Sequence, residues 1–330
     1  MINIFFYQTA IFLFLYFFGK KITENIQKIL KTPIVSSSIY INFLFSLFIL
    51  TLFPIFINFF VALNLKIIIA LFIILIFFTF YNIKFNNLDI TNIKILIFTS
   101  FLFLPFIINT EIGNDAGLYH LPFQTWIKNY KITFGLSNLH SRYALTTGYD
   151  YLFSIFWFKN YFSVAPIVQS SFLLLFFSFF LKFLNDKKNS LIIILILPVL
   201  ILFPVWQKYV IFDYGSVDFS FGVISILFIL QTLYFFNGNY NKQNIVSEIL
   251  ILFTLFTFVV ISKPTGILFF IIIFLIITFV IKQNLSKKIF RNNLKFVLLF
   301  LFFTILIWFL RNFIISGCLV YPISLTCINV

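Results

Sequence analysis

The chain has 330 residues, 62% hydrophobic and only 10% charged, with a net charge of +14. Soluble domains carry about 25% charged residues, so this composition excludes an ordinary soluble enzyme and a disordered chain. The basic excess is not a nucleic-acid footprint, because Lys and Arg of a multi-pass membrane protein gather in the loops of one face. The 55 phenylalanines fit codon bias acting on lipid-facing surfaces and mark no cofactor motif.

A crossing helix takes about 20 residues, and the hydropathy predicts about ten of them. In chain order they fall at 2–18, 38–60, 66–82, 95–109, 161–182, 190–206, 217–236, 246–262, 266–281 and 296–314. The expected fold class is therefore all-α, a polytopic membrane protein with interfacial helices in one long outward loop. The first segment is not a cleavable signal peptide. It lacks a basic leader and a small-residue cleavage site, and the basic stretch Lys20–Lys31 follows it directly. Placing that stretch in the cytoplasm puts about two-thirds of the 23 Lys and Arg inside and both termini outside. No repeat at 20–50 residues and no acidic residue in mid-span is found, so any chemistry belongs at a membrane face rather than along an ion pathway.

Residues 110–150 form the one long outward loop. It holds both histidines, four of the ten glycines and three of the nine acidic residues. It opens with EIGNDAGLYH, in which Asn114 or Asp115 suits a helix N-cap. Leu118, Leu121, Phe123, Trp126 and Ile127 then supply an apolar surface, countered by Gln124, Lys128, Asn129 and Lys131. Such a segment lies in the interface, with Trp126 and Tyr130 at headgroup depth and Pro122 limiting the helix. Further on, His140 and Arg142 lie two residues apart, and on an extended chain they point to one side. That arrangement suits a phosphate or carboxylate, although two solvated polar residues would look the same.

Three more outward groups sit at span ends. Residues 207–218 carry Lys208, Asp213 and Asp218, the SKPTG turn carries Lys263, and RNFIISGCLVYP (311–322) carries Arg311. Lys263 and Arg311 run against the positive-inside trend. Either they snorkel to headgroups, or with Arg142 and Lys208 they line a cavity for a lipid-linked phosphate. Cys318 and Cys327 are read as structurally incidental.

The loop NDAGLYH…W…GLSNLHSR, the ISKPTG turn and the RNFIISGCLVYP ending resemble bacterial membrane proteins of surface-polysaccharide synthesis. Those are similar to the GT-C glycosyltransferase superfamily. The resemblance implies a seven-helix module over 95–330, preceded by accessory transmembrane helices over 1–94. It implies a transferase of the bacterial inner membrane with its active face outside. The sugar would pass from a polyprenyl-phosphate donor to a glycan or lipid acceptor. Asp115, with Tyr119 four residues on, matches the family's acid and would be the general base. His120 and His140 would position substrate, and Arg142, Lys263 and Arg311 would bind the departing phosphate. No cofactor is required, and a divalent metal is left open. An O-antigen polymerase or ligase is the alternative enzyme class. A lipid-linked sugar flippase or scaffold is the non-catalytic one.

Overall fold

The computed structural model describes residues 2–31, 38–81, 89–108, 111–156, 166–184, 213–214, 217–237, 245–282 and 288–328. Their order is α1 (Ile2–Leu30), α2 (Ile39–Asn58), α3 (Leu65–Phe80), α4 (Ile90–Ile108), β1 (Glu111–Ile112), α5 (Leu121–Asn129), α6 (Gly148–Phe156) and α7 (Pro166–Leu184). Then follow β2 (Asp213–Tyr214), α8 (Val217–Asn237), α9 (Ile245–Ser262), α10 (Phe270–Lys282) and α11 (Lys288–Ser316). The described residues are mostly helical, and the one sheet among them is a parallel pairing of two-residue strands, Glu111 with Asp213 and Ile112 with Tyr214.

Among the described residues, five helices are long and apolar enough to cross a membrane: Ile2–Leu30, Ile39–Asn58, Val217–Asn237, Ile245–Ser262 and Asn292–Ser316. Each overlaps an expected span. Over the segments expected to cross at 66–82, 95–109, 161–182 and 266–281 lie shorter apolar helices, Leu65–Phe80, Ile90–Pro105, Pro166–Leu181 and Pro264–Val280, which are below that length. The span expected at 190–206 lies outside the described residues.

Helices α2 and α9 are apolar on every side and almost wholly buried, as a helix at the centre of a bundle must be. Helices α3 and α11 instead turn large side chains outward, among them Ile73, Phe77, Phe302 and Phe303. That perimeter needs lipid, not water, around it. Helices from both sides of residue 94 share one core, since Phe12, Phe43 and Phe48 pack in the same cluster as Phe172 and Phe258. Hydroxyls inside the helices, such as Thr51, Thr254, Thr257 and Ser262, bond back to the carbonyl four residues earlier and so need no other partner. At Gly19, α1 and α2 come so close that a Cβ would sit 1.9 Å from the Asn42 carbonyl oxygen, and only glycine fits. Thr23 Oγ1 closes the same contact by donating to Asn42 Oδ1 at 3.1 Å.

Cys318 and Cys327 are not incidental. They form a disulfide just beyond α11, and the two residues also pair as an antiparallel bridge. Spacing alone left their pairing open. Closing a short turn against the end of a helix is what brings the sulfurs together.

Candidate functional site

The ends of α2, α4, α9 and α11 and the starts of α3 and α8 meet the 111–156 segment at one end of the bundle. A turn over Ala116–His120 leads into α5, and the Leu121 N–H reaches back five residues to the Ala116 carbonyl. This π-type bond is wider than an α-helical one and is enriched at functional sites. Asp115 precedes it in helical backbone conformation but makes no cap bond, so the capping role does not apply. Its carboxylate instead accepts from Arg142 Nη1 at 3.1 Å, with both side chains about half exposed. The guanidinium lies over the Tyr119 ring at 5.3 Å. Burial, with Asp115 next in effect, pushes the Tyr119 hydroxyl up to about 12.

His140 and Arg142 do not lie together on one extended strand. Residues 141–145 form a 3-10 turn, so the extended-chain premise fails. His140 Nδ1 caps the turn by accepting from the Arg142 N–H at 3.2 Å.

His120 is buried, and its Nδ1 lies 2.8 Å from Asp150 Oδ1. Asp150 is fully buried near the start of α6 and receives three more bonds: Gln124 Nε2 at 3.3 Å, the Thr147 N–H at 2.8 Å and Thr147 Oγ1 at 3.3 Å. Gln124 therefore faces inward rather than countering the apolar surface of α5. Burial would push the Asp150 carboxyl up, but the His120 charge and hydrogen bond outweigh it and hold the carboxyl below its ordinary range. Burial likewise pulls His120 down, and the Asp150 charge and hydrogen bond overcome it, leaving the imidazole raised. Both shifts favour the charged pair, and the contact ties the 116–129 segment to α6. Sequence reasoning passed over Asp150. The available signal was Thr147-Gly-Tyr-Asp150, the spacing of a helix capping box.

The β1–β2 pairing lays residues 111–112 beside residues 213–214, and the first turn of α8 carries Asp218. Asp218 accepts from Lys263 Nζ, and its charge reaches both Tyr119 and His120. Asp115, Tyr119, His120, Arg142, Asp150, Asp218 and Lys263 thus form one electrostatic neighbourhood. Arg311 forms a salt bridge with none of these residues. It neither snorkels nor faces a vestibule but is fully buried, packed over the rings of Trp308, Phe123 and Tyr151 at 4.8, 5.2 and 5.6 Å. Its guanidinium donates to the Thr146 carbonyl at 3.0 Å, to Asn312 Oδ1 at 2.8 Å and to Thr146 Oγ1. Lys208 lies outside the described residues. Among the described residues, no three His, Cys, Asp or Glu side chains gather as a metal site would need.

A family model described as Domain of unknown function (DUF8201) matches residues 1–330, and the chain belongs to that family. No curated protein and no solved structure matches the chain.

Proposed function

We propose that this DUF8201 protein is a membrane glycosyltransferase of the GT-C kind. In this reading it has about ten crossings and transfers a sugar from a polyprenyl-phosphate donor to an outward glycan or lipid hydroxyl. One observation carries the reading: an exposed carboxylate, Asp115, stands against an exposed guanidinium, Arg142, at the end of an apolar bundle. Transfer needs both. The acceptor oxygen bonds to the anomeric carbon as the carbon–oxygen bond to the phosphate breaks. The hydroxyl proton passes to Asp115, and the charge left on the lipid phosphate is met by Arg142 and Lys263. An exposed pair held by one hydrogen bond costs little to open, so an entering phosphate can take Arg142 and free the carboxylate. Arg311, fully buried, is assigned the support of this loop rather than the phosphate.

The test is transfer of radiolabelled sugar from polyprenyl-phosphate donors in membranes containing the protein. Asp115→Asn should insert normally and lose about 10²–10⁴-fold in turnover, the usual worth of a positioned base. Turnover equal to that of the original protein would overturn the role of Asp115. Absence of transfer by the unsubstituted protein across a panel of donors would overturn the function.

The same reading puts the 111–156 end outside the bacterial inner membrane. The Cys318–Cys327 disulfide supports that side, because such bonds persist in oxidising compartments. These are the two cysteines of the chain. In intact cells an impermeant maleimide should label Cys327 after an impermeant reductant is added, and not before. Labelling that appears only after lysis would place this end in the cytoplasm.

A further inference from the structure

We infer that the face built by the α2–α3 turn and the end of α5 binds the headgroup of an anionic phospholipid. The inference needs the chain to sit in a bilayer but not to be a transferase.

Asn58, the last residue of α2, is buried and organises the face. Its Nδ2 donates to the carbonyls of Val61, Tyr130 and Ile127, at 3.2, 3.1 and 3.4 Å. The Leu63 N–H donates to the Ile127 carbonyl, and the Ile132 N–H to the Asn58 carbonyl, both at 3.0 Å. Two irregular segments, 59–64 and 130–134, are thereby fixed side by side. The charges they carry are of one sign. Lys66 stands in the first turn of α3, Lys131 lies between Tyr130 and Ile132, and Lys128 is near the end of α5. Lys66 and Lys131 are exposed and in no salt bridge among the described residues. No Asp or Glu occurs from 25 to 88 or from 116 to 149. Burial pulls Lys128 down to about 8, and a phosphate alongside would favour its charged form.

The apolar part of the face gives its depth. Phe60, Tyr130 and Phe134 are 65%, 55% and 76% exposed, and Trp126 lies against Tyr130 with ring centroids 4.8 Å apart. Aromatic side chains beside lysines at the end of an apolar span fit the boundary between acyl chains and headgroups. Positive charge at that depth selects a lipid phosphate with net negative charge over a zwitterionic one.

The experiment uses the full chain in nanodiscs of phosphatidylcholine doped with phosphatidylglycerol, and native mass spectrometry of the protein ejected from them. Phosphatidylglycerol should be retained over phosphatidylcholine. Lys66→Gln with Lys131→Gln should cut that preference about fivefold or more, while Lys94→Gln with Lys295→Gln, exposed at the other end of the bundle, should not. Excess inorganic phosphate should leave the retained lipid in place. Equal retention of the two lipids, an equal loss in both double variants, or displacement by free phosphate would each overturn the inference. An unchanged melting temperature shows that a loss of lipid is not a loss of fold.

Discussion

Replacing Asp150 by alanine is expected to destabilise the protein by about 3–5 kcal/mol, the cost of leaving one partner of a buried ion pair uncompensated. The loss would exceed that from Asp115→Ala, because the Asp115–Arg142 pair is half exposed and such pairs are worth about 0–1 kcal/mol. Asp150 also accepts from Gln124 and Thr147, so the substitution strands three donors besides His120. The sign of the pH dependence follows from the two shifts. The Asp150 carboxyl is lowered from 3.8, so its contribution is complete above that value and is lost as pH falls through the lowered one. His120 is raised from 6.5, so its contribution is complete below 6.5 and is lost as pH rises through the raised value. The difference in stability between the original protein and Asp150→Ala should therefore be widest between about pH 3.8 and 6.5 and narrow on both sides. Denaturant unfolding in detergent across that range is the measurement. A loss under about 1 kcal/mol, or a difference flat with pH, would show that the pair is not ionic.

The bundle was legible because a span is a local property: about 20 apolar residues declare themselves wherever their neighbours lie. The 110–150 loop stood out for the complementary reason, since glycines, histidines and acids are costly to leave in lipid. The partners within it were less legible. Asp150 meets His120 across 30 residues of sequence, and only the packing of α5 on α6 joins them. His140 precedes a 3-10 turn rather than a strand, and the bond that its Nδ1 accepts from the Arg142 N–H exists only once that turn forms. Asn58 gave no signal at all, because a residue that bonds three backbone carbonyls looks like any helix end until the second loop arrives. For Arg311 the difficulty is rotational. Helix α11 is apolar on nearly every face, so its pattern does not say whether residue 311 points to lipid headgroups or to protein.

That rotation makes Arg311 the second place where a large effect is expected. The guanidinium is buried, no carboxylate pairs with it among the described residues, and three aromatic rings enclose it. Its charge is met by ring faces and by oxygens of Thr146 and Asn312. Each desolvated cation–π contact is worth up to about 2 kcal/mol, and a hydrogen bond to a charged group about 1.5–3 kcal/mol. Arg311→Ala opens a cavity beside Trp308 and frees the Thr146 carbonyl, for an expected loss of about 3–5 kcal/mol. Arg311→Lys should recover less than half of it. An ammonium is more strongly hydrated than a guanidinium and lacks the planar fork that serves Thr146 and Asn312 together. Arg311→Met, close in volume and uncharged, is the sharper variant. Because the burial of a charge is itself costly, methionine should lie nearer the original stability than lysine does. Thr146 immediately precedes the cap of α6, so in the methionine variant amides of residues 146–150 should exchange faster in hydrogen-exchange mass spectrometry while the core of α9 stays protected. Lysine matching arginine in both stability and exchange would mean that Arg311 supplies a charge and nothing more, and the clamp on the Thr146–Asp150 turn would be wrong.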